Sequence, residues 1–299
     1  RSDNRDPILA HPRLFVVVED LQSYTKCHSN EISKVILTLN RDLFNIHQWA
    51  TKNGLILNPS KSQAIIISSP QRAKVVQVST IPEIRLANST IPLSDSVNNL
   101  GIIMDRKLDW TAQVNGMCKK AFGSLHSLYR LKKALPAPIK LLLVKSLIFP
   151  HLDYGDVLLS NLSSDLSHRL QRIQNASLRF IFNLKYSDHL SPFYNKLSLL
   201  KLPERRKLHA LILVSKILRY NEPAYLFHRF EFLNSNHTHS TRSFDNRILA
   251  IPPHKTATFA NSFTVSTIRG WNNLPDHLRT CSASLFRKSV EFLKIMSDI

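Results

Sequence analysis

The spacing of the apolar residues changes near Trp110, and this change limits what the chain can fold into. Before Trp110, apolar residues lie mostly in short runs, such as residues 14–18 and 64–67, which are typical of β-strands. After Trp110, they recur every three or four residues over long stretches, which is typical of amphipathic helices. The pattern predicts an α+β chain with a mixed first part and a predominantly helical remainder.

The first part is predicted to hold one long helix and several strands. Apolar residues recur at helical spacing from Ile32 to Trp49, and Gly54 follows shortly after, as is usual past the end of a helix. Strands are predicted at residues 14–18, 55–57, 64–67, 75–78, 84–86 and 100–104. A turn at Asn58-Pro59-Ser60-Lys61 is predicted to join the second and third of these strands.

Three helical stretches are predicted in the remainder. The first covers residues 112–149 and is interrupted at Pro136 and Pro138, because proline breaks a helix interior. The other two cover residues 165–182 and 203–219, and residues 234–251 are predicted to form a polar linker or long loop. A final segment is predicted to end in a helix from residue 284. The sequence therefore predicts three regions, at residues 1–110, 111–233 and 234–299.

The one unusual feature of the composition is its charge. Forty Lys and Arg residues against 21 Asp and Glu residues give a formal net charge of +19. Such a chain attracts polyanions, with nucleic acid the leading candidate and an acidic membrane surface the weaker alternative. No apolar run approaches the roughly 18 residues that a spanning helix needs, so no membrane partner is expected. Three widely spaced cysteines favour a reducing compartment over a disulfide framework or a zinc site.

Two acidic residues, Glu19 and Asp20, follow the first predicted strand. Adjacent carboxylates at the end of a strand can bind hard divalent cations such as Mg²⁺, as two-metal phosphoryl transfer requires. An acidic turn in solvent would give the same pattern, and both interpretations are open at this point. The sequence contains neither a nucleophile elbow nor a glycine-rich phosphate loop, so it offers no support for hydrolase or nucleotide-binding classes.

A basic segment without acidic residues extends from Trp110 to Leu152. Positive charge without competing carboxylates suits contacts with phosphates, and a solvated helix face is the alternative interpretation. Few aromatic residues interleave with these charges, so a duplex is expected rather than a single strand. The residues predicted to bind nucleic acid, within this segment and after it, are Lys119, Lys120, Arg130, Lys132, Lys133, Lys140, Lys145, Arg172, Arg179, Arg205 and Arg206.

Several motifs follow one another in a specific order. They are Val17-Val18-Glu19-Asp20, Asn53-Gly54-Leu55, Leu57-Asn58-Pro59-Ser60-Lys61, Asn99-Leu100-Gly101-Ile102, Leu108-Asp109-Trp110, residues 145–155, residues 170–175 with Arg179, residues 202–206 and residues 270–275. In this order they resemble the reverse transcriptase of a non-LTR (LINE-type, jockey-like) retrotransposon, from the end of the palm onward. The resemblance covers nearly the whole chain after residue 14.

The resemblance implies a fold and a function for each region. Residues 1–110 would form a partial palm with a primer-grip-like hairpin, and the basic helical region would be the thumb. Glu19 and Asp20 would bind Mg²⁺, and Lys61 would lie near the general acid for the leaving pyrophosphate, with a simple turn lysine as the alternative. The implied partners are an RNA template and a DNA primer, and the implied location is the nucleus or the cytoplasm.

The chain departs from the family at the metal-binding strand. The family has aromatic-Ala-Asp-Asp where this chain has Val17-Val18-Glu19-Asp20, and phosphoryl transfer requires placement to within about half an ångström. The family's third metal ligand and its fingers lie earlier than the first strand of this chain. We therefore expect a C-terminal reverse transcriptase fragment without template-directed synthesis of its own. An inactive nucleic-acid-binding remnant and a basic helical structural protein are the alternatives.

Overall fold

The computed structural model describes residues 13–17, 20–73, 81–233, 247–281 and 285–286. The chain divides into two compact units, one ending at Trp110 and the other beginning at Thr111. Within the described ranges the fold is α+β, as predicted from the sequence, and helices predominate. Each strand pair in these ranges is antiparallel.

The described part of the first unit contains three two-stranded ladders. The strands are β1 (Arg13–Val17), β2 (Asp20–Tyr24), β3 (Ile84–Leu86), β4 (Ser89–Ile91), β5 (Ser96–Asn99) and β6 (Ile102–Asp105). The pairs are β1 with β2, β3 with β4, and β5 with β6. Leu100 and Gly101 join β5 to β6 with φ angles of 49° and 80°. Two consecutive positive φ values are typical of a tight hairpin turn, so the sequence Asn-Leu-Gly-Ile forms a hairpin here.

A small apolar core holds the helix α1 (Ile32–Lys52) against β3 and β4. Ile36 of the helix is buried together with Ile84, Leu86 and Ile91. The side chain of Asn40 adds two hydrogen bonds to this contact, because its Nδ2 donates to the Glu83 carbonyl (2.8 Å) and its Oδ1 accepts from the Arg85 amide (2.9 Å). A short helix α2 (Pro70–Ala73) also belongs to this unit.

The two strands predicted at residues 55–57 and 64–67 are not formed. Only Ala64 pairs, in an isolated bridge with Leu93, and residues 59–61 form a single 3-10 turn that Asn58 caps. Ile56 is 96% exposed, and Leu57 packs against the core around Ile36 without pairing with a strand. Short apolar runs do not distinguish strands from irregular segments without a pairing partner. The strand predicted at residues 75–78 lies outside the described residues.

The described part of the second unit is helical. Its helices are α3 (Thr111–Tyr129), α4 (Ala137–Leu147), α5 (Phe149–Asp153), α6 (Ser164–Phe182), α7 (Ser191–Lys196), α8 (Leu202–Tyr220), α9 (Ala224–Phe227), α10 (Ala257–Ala260), α11 (Phe263–Asn272) and α12 (Asp276–Thr280), with a 3-10 turn at Asp156–Leu159. Pro136 precedes α4 and Pro138 lies in its first turn, so the two prolines separate α4 from α3 as predicted. Among these helices, none has the length and apolar character that crossing a membrane requires.

Two apolar layers stabilise the second unit. Helix α6 packs against α3, α4 and α8 and buries Leu170, Ile173 and Leu178 at helical spacing. Helices α8 and α11 share a second cluster around Trp271, whose indole Nε1–H donates to the Arg247 carbonyl (2.9 Å). The linker predicted at residues 234–251 and the terminal helix predicted from residue 284 fall largely outside the described residues.

Candidate nucleic-acid interface

Most of the cations predicted to bind nucleic acid lie on the surface of the second unit. Lys119 and Lys120 are exposed on α3, Lys145 on α4 and Arg172 on α6. Arg130 and Lys133 are exposed in the turn that follows α3, and Lys132 of the same turn is half-buried. For these residues the structure is compatible with contacts to phosphates.

Lys132 contacts an aromatic ring as well as solvent. Its Nζ lies 5.4 Å from the ring centroid of Tyr129, the last residue of α3. The same tyrosine contacts Phe180 with a centroid distance of 5.3 Å. Burial raises the pKa of the Tyr129 hydroxyl, and the nearby charge of Arg179 opposes this rise. Tyr129 therefore lies between two cations, one from the turn after α3 and one from α6.

Arg179 stabilises the turn that follows α6. Its Nη2 donates to the Tyr186 carbonyl (3.0 Å) and its Nε to the Lys185 carbonyl (3.3 Å). Its guanidinium lies 5.2 Å from the ring centroid of Tyr186. Since these carbonyls occupy two of its donors, Arg179 supplies charge to this surface while also holding the turn in place.

Lys140 lies in the core rather than on the predicted phosphate-binding surface. It is 1% exposed, and its Nζ donates to Asn183 Oδ1 (2.8 Å). Its Nζ also lies 5.5 Å from the Phe180 ring centroid. Asn183 ends α6, so the ammonium lies at the negative end of that helix dipole. The predicted role of Lys140 in binding phosphates is therefore corrected to a structural one.

Arg205 and Arg206 are likewise buried. The Arg205 guanidinium pairs with the Asp153 carboxylate and lies 4.8 Å from the Phe149 ring centroid. Arg206 donates to the Leu159 carbonyl (3.2 Å) and to Ser167 Oγ (3.2 Å). Burial lowers the pKa of Arg206. Both arginines make their contacts inside the unit, so their predicted contact with phosphates is corrected as well.

Arg205 belongs to a half-buried ionic cluster that was not predicted from the sequence. Asp153, Asp156 and His209 bring their possible ligand atoms within 4.8 Å of one another. His209 Nδ1 lies 2.6 Å from Asp156 Oδ2, and this hydrogen bond raises the pKa of the imidazole. Burial raises the pKa of Asp153 despite the opposing charge of Arg205. The sequence carried one signal for this cluster, which is the spacing of its charged residues. Asp153 and Asp156 are three residues apart, and Arg205 and His209 are four residues apart.

This cluster is better suited to internal charge balance than to holding a metal ion. Two carboxylates and an imidazole are ligands that divalent cations accept. Here, however, the Asp153 carboxylate is paired with Arg205 and the Asp156 carboxylate with His209. A metal ion would have to displace a resident arginine cation from a site that already satisfies both carboxylates.

The residues predicted to form the magnesium site belong to the first unit. Asp20 begins β2 opposite Val17, and Glu19 lies outside the described residues. Lys61 is exposed at the end of its 3-10 turn. These positions stay predictions from the sequence.

The described surface of the second unit carries exposed cations and the exposed rings of Tyr129 and Tyr186. Comparison of the chain with protein-family models, with curated proteins and with solved structures finds no match. The charge of this surface, its aromatic residues and the order of the sequence motifs are the features that bear on function.

Proposed function

We propose that the chain is the C-terminal part of an RNA-directed DNA polymerase of the non-LTR retrotransposon type, and that its second unit grips template–primer nucleic acid. The observation that carries the proposal is the basic segment between Trp110 and Leu152, which contains no acidic residue and exposes most of its cations. The order of motifs along the chain supports the assignment to a polymerase.

The exposed cations suit phosphates for a simple electrostatic reason. Each cation that neutralises a phosphate releases condensed counterions, and this release favours binding at low salt. The contributing residues are Lys119, Lys120, Arg130, Lys132, Lys133, Lys145 and Arg172, since Lys140, Arg205 and Arg206 are buried. Contacts of this kind position a duplex without selecting its sequence.

The catalytic part of the proposal rests on the motif order. Asp20 and Glu19 are proposed to bind Mg²⁺, and Lys61 is proposed to lie near the leaving pyrophosphate. In such an enzyme the ions stabilise charge on the transferred phosphoryl group. The second unit would bind the template–primer duplex, and the chain by itself is expected to show no template-directed synthesis.

Binding of an RNA–DNA hybrid duplex to the full chain, measured by fluorescence anisotropy at several salt concentrations, tests the proposal. The logarithm of the binding constant should fall with the logarithm of salt by about 0.9 per phosphate neutralised. Changing Lys132 and Lys133 together to alanine should weaken binding about equally for different sequences and flatten the slope by roughly one to two units.

A matched control removes the same charge elsewhere. Lys216 and Lys255 are exposed lysines outside the basic segment, and their double change to alanine should leave the slope nearly unchanged. If the variant of Lys132 and Lys133 bound with unchanged affinity and slope, the basic segment would be an ordinary solvated surface and the proposed grip would be wrong.

A further inference from the structure

The most exposed large aromatic side chain beside the basic segment is that of Tyr186. It is 90% exposed and lies in the turn after α6. An aromatic ring left in water forgoes the burial that stabilises most tyrosines in folded proteins. The turn that carries Tyr186 is nevertheless fixed by several hydrogen bonds.

Four hydrogen bonds fix the turn that carries Tyr186. Two come from Arg179 to the carbonyls of Lys185 and Tyr186. The Lys185 amide donates to Asp188 Oδ2 (2.7 Å), and buried Lys140 donates to Asn183 at the start of the turn. The ring of Tyr186 is thus presented to solvent by a rigid support, which lowers the entropy lost when a ligand stacks on it.

A second tyrosine and more cations adjoin this turn. Arg179 contacts the Tyr186 ring, and its neighbour Phe180 contacts the ring of Tyr129, which also carries Lys132 above it. We name Tyr129, Lys132, Arg179, Lys185 and Tyr186 the tyrosine patch. Asp188 is the acidic residue in contact with this turn, and its carboxylate is used by the Lys185 amide.

We propose that the tyrosine patch binds unpaired nucleotides, with a base stacked on Tyr186 and the backbone phosphates near Arg179, Lys132 and Lys185. The inference deepens the proposed function, on which it rests, by assigning the single-stranded part of the template to this patch. Sites of this class combine cations that follow the backbone with aromatic rings on which bases stack. Stacking is tolerant of sequence because every base has an aromatic face.

The tyrosine patch would add binding of a single strand to the duplex binding that is expected from the sequence. The sequence shows few aromatic residues among the cations of the basic segment, but folding adds Tyr186 from a distant part of the chain. Charge complementarity favours a nucleic acid over a protein segment, because Lys132, Arg179 and Lys185 attract phosphates. The cations on α3, on α4, in the turn after α3 and at Arg172 of α6 remain the proposed duplex contacts, and Lys132 would contribute to both sites.

Two probes separate the patch from the duplex grip. One is a blunt RNA–DNA hybrid, and the other is the same hybrid with an unpaired RNA extension of about eight nucleotides, within the range that single-strand sites cover. A 2-aminopurine base in the extension reports stacking by a loss of its fluorescence. The unchanged full chain should bind the extended probe more tightly than the blunt one and should quench the 2-aminopurine.

Tyr186→Ala should remove the quenching and lower the affinity for the extended probe by about 5- to 150-fold. Its affinity for the blunt probe should be unchanged. Tyr186→Phe keeps the ring and should behave like the unchanged chain. Tyr220→Ala is the matched control, because Tyr220 is also exposed (64%) but lies at the end of α8. It should leave the affinity for both probes and the quenching unchanged.

The outcomes distinguish this inference from the proposed function. If the extension added no affinity, or if Tyr186→Ala kept both the affinity and the quenching, the inference would be wrong, whereas steep salt dependence with the blunt probe would leave the proposed grip intact. Equal weakening of both probes by Tyr186→Ala would make Tyr186 a duplex contact and overturn the inference. Absence of binding to either probe would overturn both proposals.

Discussion

A lysine that folding removes from water must replace its lost hydration with protein partners. Lys140 does so with the Asn183 carboxamide and the face of the Phe180 ring, at the C-terminal end of α6. Its four methylenes fill space between α4 and α6, so the side chain contributes packing as well as charge. Both contributions are lost together when the residue is truncated.

Lys140→Ala should therefore lower the free energy of unfolding by about 2–4 kcal/mol, through the cavity and the lost hydrogen bond. Lys140→Met keeps most of the volume and should cost less. Lys145→Ala, on the exposed side of the same helix, should change stability by less than about 0.5 kcal/mol. Urea denaturation of the three variants is the measurement, and equal effects of Lys140→Ala and Lys145→Ala would contradict the prediction.

Within the half-buried ionic cluster, His209 is the side chain that can change its charge near neutral pH. The charged groups that act on it are Asp153 and Asp156, which favour its protonation, and Arg205, which opposes it. Arg206 and Glu204 adjoin the same cluster. The net effect is a raised imidazole pKa, because the hydrogen bond that His209 donates to the Asp156 carboxylate is the largest influence on it.

Stability should fall as the pH rises through the folded-state pKa of His209. Because that pKa is raised above the unfolded value of 6.5, the stabilisation is complete below pH 6.5 and is lost above the higher folded value. The raised pKa of Asp153 also makes stability fall with rising pH, but in a lower range that begins near its unfolded value of 3.8. Because of His209, the urea midpoint should decrease as the pH rises above about 6.5.

His209→Gln should flatten this dependence, because it removes the group that titrates. His126→Gln changes an exposed histidine of α3 and serves as the control, which should keep the slope of the unchanged chain. A His209→Gln variant with the same pH dependence as the unchanged chain would show that the cluster does not titrate in this range.

At the scale of elements, a network of amides joins α6, α7 and the start of α8. The hydroxyl of Tyr194 donates to Asn175 Oδ1 (2.7 Å) and accepts from Gln171 Nε2 (2.7 Å). Gln174, which is fully buried, donates to the Leu200 carbonyl (2.9 Å). The Leu202 amide at the start of α8 donates to Gln171 Oε1 (2.9 Å), so the network also satisfies a free helix-terminal donor.

Tyr194→Phe should lower the free energy of unfolding by about 1–2 kcal/mol, because it removes the hydrogen bonds that the hydroxyl makes with Gln171 and Asn175. Tyr220→Phe removes an exposed hydroxyl and should change stability by less than about 0.5 kcal/mol. A double-mutant cycle of Tyr194→Phe with Asn175→Ala should show a coupling above about 0.5 kcal/mol. Additive effects in that cycle would contradict a shared network.

Long helices could be predicted from the sequence, and short strands could not. The helix predicted at residues 165–182 is formed at Ser164–Phe182, because apolar residues at helical spacing over five turns leave one face to bury. Short runs such as residues 55–57 carry no such information, since a strand depends on a partner elsewhere in the chain. Tyr186 was not predicted as a binding residue for a related reason. Its contact with Arg179 and the hydrogen bonds that support its turn form only when the chain folds.

For the whole molecule, the net charge of +19 has two opposite consequences. Like charges repel one another and destabilise the compact state, and salt screens this repulsion. The same charge attracts nucleic acid. Salt weakens that attraction, because the release of condensed counterions on binding is less favourable when the salt concentration is high. Salt should therefore stabilise the free protein and at the same time reduce the stabilisation that a bound polyanion provides.

Thermal unfolding of the full chain can measure both effects at once. Raising the salt concentration from about 0.05 M to about 0.3 M shortens the range of electrostatic repulsion and should raise the Tm of the free protein. A hybrid duplex that binds the folded state should raise the Tm at low salt, by an amount that depends on its concentration relative to Kd.

This increase in Tm on binding should shrink strongly at the higher salt, because the affinity falls steeply with salt. The uncharged osmolyte sucrose, which does not screen charge, controls for general stabilisation and should leave the increment in place. An increment of equal size at both salt concentrations would mean that the bound duplex is held by contacts other than those to its phosphates.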